Sequence, residues 1–225
     1  MILLLALLAQ EPGCAAVGAA QARADVFDVR GALERLDAAA KGECPAARGQ
    51  ATYLRGWIAA RDAYGAGGSR ESLKSVDAAV AALNAGGETV AAYVLQAAAA
   101  AAQSERNTMS LLLDQATQLE SIRLSAGLPG APVITAHEAA GELWLQVHRY
   151  EDARHAYQRA TERLGPTRRI TLGLARAAAR LKDVPEACRQ YRMLAAAWKV
   201  SGPEPQEIVE ARRFLGEPGC IAGGK

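Results

Sequence analysis

The sequence predicts an all-α fold built from stacked antiparallel helical hairpins. Alanine supplies 51 of the 225 residues, whereas Trp, Tyr and Phe together supply eleven. Alanine is the residue that loses least free energy on entering a helix, while strands favour β-branched and aromatic residues. The hydrophobic content of 50% and the balanced charge, 26 basic against 24 acidic residues, exclude a disordered chain.

The first 22 residues are predicted to be a signal peptide. Residues 1–9 (MILLLALLA) are typical of a signal-peptide core and too short to cross a bilayer, and Ala-Gln-Ala at 20–22 fits a peptidase site before Arg23. No Lys or Arg precedes the block, so either the true start lies upstream or export is inefficient. Lipid attachment at Cys14 and a buried N-terminal helix are the alternatives. Export predicts a periplasmic or secreted protein without a transmembrane span after cleavage.

Cysteine usage points in the same direction. Cleavage would remove Cys14 and leave Cys44, Cys188 and Cys220, for which one disulfide and one thiol are expected in an oxidising compartment. A bridge between Cys188 and Cys220 would hold the C-terminal tail, residues 217–225. Pairing of Cys44 with either of them is the alternative. The chain contains no C-x-x-C, so a redox or zinc motif of that type is excluded.

The region 23–132 is predicted to form degenerate helical hairpins. Val26, Val29, Leu33 and Leu36 recur at helical spacing and predict a helix over 25–40. Further helices are expected at 50–64, 70–83, 88–103 and 108–125, before a Gly- and Pro-rich break at 127–132. The six alanines at 97–102 are expected where two helices approach closely.

An internal repeat marks residues 134–199. A shift of the chain by 34 residues aligns Tyr150 with Val184, Ala153 with Ala187, and Tyr157 with Tyr191. The segments HRYEDARHAYQRA and KDVPEACRQYRML resemble the second helix of a tetratricopeptide repeat, and Gly141 and Trp144 occupy the matching positions of a first helix. Pro166 lies one position late, and Ala175 and Ala178 make the next first helix less typical. The likeness extends to 50–83 through Leu54 and Gly56 and is only topological elsewhere.

The resemblance implies an α-solenoid of helix pairs. Each hairpin cannot bury its apolar face alone, so neighbouring hairpins stack. Ala153 and Ala187 would let the two helices of a hairpin approach, and Tyr157 and Tyr191 would fill the gap to the next hairpin. The expected helices are 133–147, 150–164, 168–181 and 184–199, with a capping helix at 204–215. They make up a second region, 133–216.

No pattern in the sequence predicts catalysis, a cofactor or a metal. His137-Glu138 begins like a zinc-protease motif, but the second histidine is replaced by Gly141. His148 and His155 lie two turns apart, and a hydrated surface pair is more typical of such residues than a metal site. No nucleophile elbow or phosphate-binding loop is present. A net charge of +2 without a basic run excludes nucleic acid as an expected partner.

The tetratricopeptide resemblance implies that first helices line a partner-binding groove. By position, the groove would contain Glu138, Glu142, Leu145 and Gln146 from one repeat, and Arg169, Leu172, Arg176 and Arg180 from the next. Glu138 and Glu142 would repel the carboxylate tail that related chaperone-binding members capture. The alternative is that these charges pair with one another across the repeat interface.

An aromatic stripe provides a second set of binding residues. Tyr53, Trp57 and Tyr64 share one helical face. Aromatic residues are enriched at binding hot spots, so an aromatic patch is one interpretation. A buried core stripe is the other, and it is the more typical role of this pattern.

The sequence thus predicts a non-catalytic scaffold of the bacterial cell envelope that binds a protein or peptide. A helical carrier of a small molecule or lipid, with an apolar pocket near Trp57, is one alternative. A structural subunit of an envelope assembly, which would expose an apolar patch, is the other.

Overall fold

A computed structural model describes residues 15–41, 44–128, 132–199 and 204–222. Within these ranges every regular element is a helix. The twelve helices are α1 (Ala15–Asp25), α2 (Val29–Ala40), α3 (Pro45–Gly65), α4 (Arg70–Ala85), α5 (Thr89–Ala102), α6 (Arg106–Ser125), α7 (Ala136–Gln146), α8 (Tyr150–Leu164), α9 (Arg168–Arg180), α10 (Val184–Ala197), α11 (Gln206–Leu215) and α12 (Pro218–Ala222). The described part of the chain is therefore all-α, and within each unit helices that follow one another pack in adjacent pairs, among them α3 with α4, α5 with α6, and α9 with α10.

The chain divides into two compact units. The first contains the described residues up to Ala24 together with Asp28–Ala136, and the second contains Asp25–Phe27 together with the residues from His137 onward. The region boundary expected at 132/133 lies four residues before the structural one.

The first unit is organised around α5. Ten of its 14 residues are buried, and it packs against α3, α4 and α6. Small side chains permit this close approach. At Gly68 a Cβ atom would lie 1.9 Å from the carbonyl oxygen of Ala102, so only glycine fits between the loop and the helix. Five of the six alanines at 97–102 are buried, as close packing requires.

The second unit contains α7–α12. Helix α9 packs against α8 and α10, and α10 also packs against α11 and α12. Local caps fix the helix starts: the side chain of Thr167 accepts from the amide of Ile170, and that of Asp183 from the amide of Glu186.

The helix expected over 25–40 begins later, as α2 (Val29–Ala40), and Asp25 is the last residue of the preceding helix α1. The backbone of Phe27 is left-handed, with φ of +66°, which ends α1. Asp28 then begins α2, because its carboxylate accepts from the amide of Gly31 at 2.9 Å. The apolar spacing continues through this break, so periodicity alone could not reveal it.

The predictions for the two ends of the chain, a signal peptide and a C-terminal tail, can be compared with the described residues. Residues 1–14, which include the predicted signal-peptide core and Cys14, lie outside the described residues, and the predicted cleavage site falls within α1. The expected tail at 217–225 contains the short helix α12. Among the helices described, none is long and apolar enough to cross a membrane.

Candidate functional site

The ring of Tyr157 on α8 fills a space that two glycines leave open. An added Cβ would lie 2.6 Å from this ring at Gly141 on α7 and 2.1 Å from it at Gly173 on α9. Tyr157 therefore contacts the first helix of its own hairpin and the first helix of the next. Burial raises the pKa of Tyr157, and the negative charge of Glu142 raises it further, so the phenol stays protonated. The sequence identified Gly141, whereas Gly173 was missed.

Tyr191, one repeat later, makes the corresponding contact with α11. Its ring lies 4.9 Å from that of Phe214, measured between centroids, and its hydroxyl donates to Glu210 Oε1 at 2.6 Å. Burial raises the pKa of Tyr191, and its hydrogen bond to Glu210 adds to this rise, so the hydroxyl remains a donor. Two tyrosines 34 residues apart thus each link a hairpin to the helix that follows it.

The carboxylate of Glu210 also binds Arg176 on α9. The Arg176 Nη2 donates to Oε2 at 2.6 Å, and Nε donates to Oε1 at 3.0 Å, which makes the pair bidentate. Burial alone would raise the pKa of Glu210, but the hydrogen bonds from Arg176 and Tyr191 outweigh it and lower the pKa. Burial alone would lower the pKa of Arg176, and its bond to Glu210 raises it instead. The three side chains join α9, α10 and α11.

Glu210 was missed by sequence reasoning, yet the repeat contains the signal that finds it. Glu142, Arg176 and Glu210 are each separated by 34 residues, so they occupy one repeat position on α7, α9 and α11. The charge at that position alternates along the three helices. Alternation lets the guanidinium on α9 pair with the carboxylate on α11, as the structure has it.

Three more of the charged side chains expected in the groove, Arg169, Glu142 and Glu138, are also engaged with protein groups. Arg169 Nη2 lies 3.9 Å from Glu142 Oε2, and the Arg169 side chain is only 12% exposed. Glu138 is buried and accepts from the hydroxyl of Thr167 at 3.1 Å. Gln146 is half-buried at the end of α7. The pairs of Arg169 with Glu142 and of Arg176 with Glu210 match the alternative in which the charges pair across the repeat interface, whereas Glu138 is bound by a hydroxyl.

Arg180 differs from the other arginine residues predicted for the groove. It is exposed at the end of α9 and makes no ion pair within the described ranges. Its positive charge acts on Tyr191, and that of Arg213, which is likewise exposed on α11 and outside any described ion pair, acts on Glu210. We call Arg176, Arg180, Tyr191, Glu210 and Arg213 the α9–α11 basic face. Two of its guanidinium groups, those of Arg180 and Arg213, are exposed.

The aromatic stripe lies in the first unit, and its interpretation as an exposed binding patch is wrong. Tyr53 and Trp57 are buried to 1% exposure or less, so they cannot form an exposed binding patch; Tyr64 is half-buried. The Tyr53 hydroxyl donates to the carbonyl of Ile134 at 2.8 Å. Burial and this bond correspond to the core interpretation.

Two further side chains bind backbone groups in the segment 133–136, which also contains the Tyr53 partner Ile134. Gln50 Oε1 accepts from the amide of Val133 at 2.8 Å, and Glu120 Oε1 accepts from the amide of Ala136 at 2.9 Å. Both side chains are buried. They satisfy backbone groups that would otherwise be costly to bury. Sequence reasoning missed both, because their partners lie far away along the chain.

The structure joins Cys188 on α10 and Cys220 on α12 in a disulfide, with 5.5 Å between their Cα atoms. Arg192 Nη2 adds a bond of 2.6 Å to the carbonyl of Cys220. Cys44 is buried outside this bridge. Across the residues that the structure describes, no group of three His, Cys, Asp or Glu side chains could hold a metal ion.

Comparisons with known proteins identify no relative of this chain. No family model matches the chain, and neither a curated protein nor a solved structure matches it.

Proposed function

We propose that this protein is a non-catalytic scaffold of the bacterial cell envelope that binds a protein or peptide partner. The observation that carries the proposal is the repeated inter-hairpin contact of Tyr157 and Tyr191. Each ring reaches the helix that follows its own hairpin, at Gly173 and Phe214 respectively. Such stacking is the basis on which tetratricopeptide-like scaffolds present a preformed surface.

The α9–α11 basic face is the proposed contact surface. The guanidinium groups of Arg169 and Arg176 are engaged by Glu142 and Glu210. Arg180 and Arg213 carry the exposed positive charges of this face, so the partner is expected to present carboxylates there. Charge complementarity of this kind raises the association rate and orients the partner.

The proposed location combines two features. The N-terminal apolar block is typical of an exported protein. The disulfide between Cys188 and Cys220 is the kind of bond that persists in oxidising compartments.

Charge reversal tests the function directly. In cells that express the full chain, Arg180→Glu together with Arg213→Glu is expected to reduce recovery of the crosslinked partner at least tenfold. The matched control is Arg159→Glu together with Arg163→Glu, which makes the same charge change at exposed positions of α8. Equal recovery with both double variants would contradict the assignment of this face.

A structural role in an envelope assembly has one observation in its favour. Leu111 and Ile122 are 61% and 57% exposed, and eleven residues along α6 return to the same helical face. Exposed apolar side chains on one face are typical of an interface. If this role holds, Leu111→Ser with Ile122→Ser shifts the protein from a large complex to the free fraction in sedimentation. An unchanged profile would exclude it.

A further inference from the structure

Three residues near the N-terminus pack as part of the second unit although their chain neighbours do not. Asp25–Phe27 belongs to the second unit, whereas Ala24 and Asp28 on either side belong to the first. The turn is closed by the hydrogen bond from the Asp28 amide to the Arg23 carbonyl at 3.0 Å, and the side chains of Asp25 and Phe27 contact α9 and the end of α10. The contacts of these two side chains therefore show which chemical groups the surface beneath the segment can bind.

The acidic end of the segment lies at the start of α9. Asp25 Oδ2 accepts from Arg168 Nη1 at 2.7 Å, and Oδ1 accepts from the Arg168 backbone amide at 3.0 Å. The side chain of Thr167 already satisfies the amide of Ile170, which leaves the first amide of the helix for a carboxylate. The charge of the guanidinium and the N-terminal helix dipole both favour an anion here.

The aromatic end of the segment lies against the end of α10. The rings of Phe27 and Trp198 are stacked, with 6.4 Å between centroids and 20° between planes. Arg168 Nη2 also donates to the carbonyl of Ala197 at 3.3 Å. Arg168 thus bonds both to Asp25 and to the end of α10, where Trp198 lies. The surface contacts a carboxylate and an aromatic ring that are two residues apart in the segment.

The present occupant fits this surface incompletely. Arg168 Nε and Trp198 Nε1 are buried and have no hydrogen-bond partner among the described residues. Buried donors without acceptors are costly, and both lie on the residues that contact the segment. The left-handed backbone of Phe27 is also a strained conformation for a bulky residue. A ligand that supplied acceptors to these donors without that strain would bind better than the segment does.

We propose that this surface is a binding site for a partner peptide containing an acidic residue, any residue and an aromatic residue, and that Asp25–Phe27 occupies it until the partner displaces it. The hydrogen bonds of this site come from Arg168 and involve none of the residues of the α9–α11 basic face, so the site does not rest on the proposed function. It would give the scaffold a second contact with a partner of defined sequence chemistry.

The test removes the two side chains that occupy the site and supplies the same segment as a separate peptide. The full chain carrying Asp25→Asn and Phe27→Ala is titrated into a fluorescent peptide with the sequence of residues 23–30, and anisotropy is measured. We expect this variant to bind at least tenfold more tightly than wild type, whose site is already occupied. A peptide with the same two substitutions is expected not to bind, and adding Arg168→Gln to the vacated chain is expected to abolish binding. Absence of binding to the vacated chain, or binding that survives Arg168→Gln, would overturn the proposal.

A second measurement covers the case in which the vacated variant does not fold. Amide hydrogen exchange of residues 25–28 is followed in the wild-type chain with and without a large excess of the unlabelled peptide. Displacement predicts faster exchange in this segment and unchanged exchange in α5. Identical exchange of the segment at all peptide concentrations would overturn the proposal.

Discussion

The hydroxyl of Tyr191 on α10 donates a 2.6 Å hydrogen bond to the carboxylate of Glu210 on α11. The same carboxylate holds the guanidinium of Arg176 on α9. One acidic side chain therefore fixes three successive helices beneath the surface to which we assign partner binding. The stability of that surface depends on these three side chains, whereas binding of a partner is expected to depend on the exposed Arg180 and Arg213.

Removal of the tyrosine hydroxyl should weaken the second unit. Tyr191→Phe keeps the ring contact with Phe214 but loses a hydrogen bond to a charged acceptor, so the free energy of unfolding is expected to fall by about 1.5 kcal/mol. Urea denaturation measures this. The control, Tyr93→Phe, removes a hydroxyl that makes no hydrogen bond within the described chain and should change little. Equal effects of the two substitutions would contradict the role of the bond.

A methyl group at Gly173 should disturb the contact between hairpins. The new Cβ would overlap the ring of Tyr157, so Gly173→Ala is expected to lower the free energy of unfolding by about 1–3 kcal/mol. The control is Gly65→Ala at the end of α3, where an added Cβ meets nothing within 4 Å. This control should be neutral or slightly stabilising. If both variants melt at the wild-type temperature, Tyr157 is not packed as described.

The pKa of Glu210 predicts how stability depends on pH. Because this pKa is lowered in the folded chain, the stabilising contribution is complete above the unfolded pKa of about 4.3 and is lost as the pH falls through the folded value. Glu210→Gln is expected to lower the free energy of unfolding at pH 7 by about 1–2 kcal/mol. The difference from wild type should shrink as the solution is acidified.

Urea denaturation at a series of pH values checks this prediction. The control is Glu217→Gln, which removes an exposed carboxylate outside the network. A difference between Glu210→Gln and wild type that stays constant from neutral to acidic pH would contradict it.

Loss of the disulfide should release α12 and lower stability. Cys188 and Cys220 are separated by 32 residues, and a loop of this size predicts a loss of about 2–4 kcal/mol for Cys188→Ala with Cys220→Ala. Denaturation with and without reductant measures the effect. Reductant should destabilise wild type and leave the double variant unchanged; a further change in the double variant would show that another thiol is responsible.

Local patterns predicted the helices closely because alanine content, glycine breaks and capping residues act over short distances. The expected helix at 70–83 is α4, Arg70–Ala85, which begins after the Ser69 cap. The break at Phe27 was missed, since a left-handed residue held by tertiary contacts leaves the apolar spacing intact.

The candidate site was predictable only in part. The 34-residue spacing located Tyr157 and Tyr191 and could have located Glu210. It could not distinguish Arg176, which Glu210 engages, from Arg180, which is exposed, because that difference depends on the helix packed opposite each side chain. Asp25 and Arg168 are 143 residues apart, and no local pattern connects them.

Site-specific photocrosslinking tests whether a partner binds at the α9–α11 basic face. A photoreactive residue is placed at position 180, or at position 159 as the control, in the full chain expressed in its native host. We expect a discrete crosslinked species from position 180 that position 159 does not give, and that Arg213→Glu suppresses. No crosslinked species at position 180, or the same species from both positions, would contradict partner binding at the α9–α11 basic face.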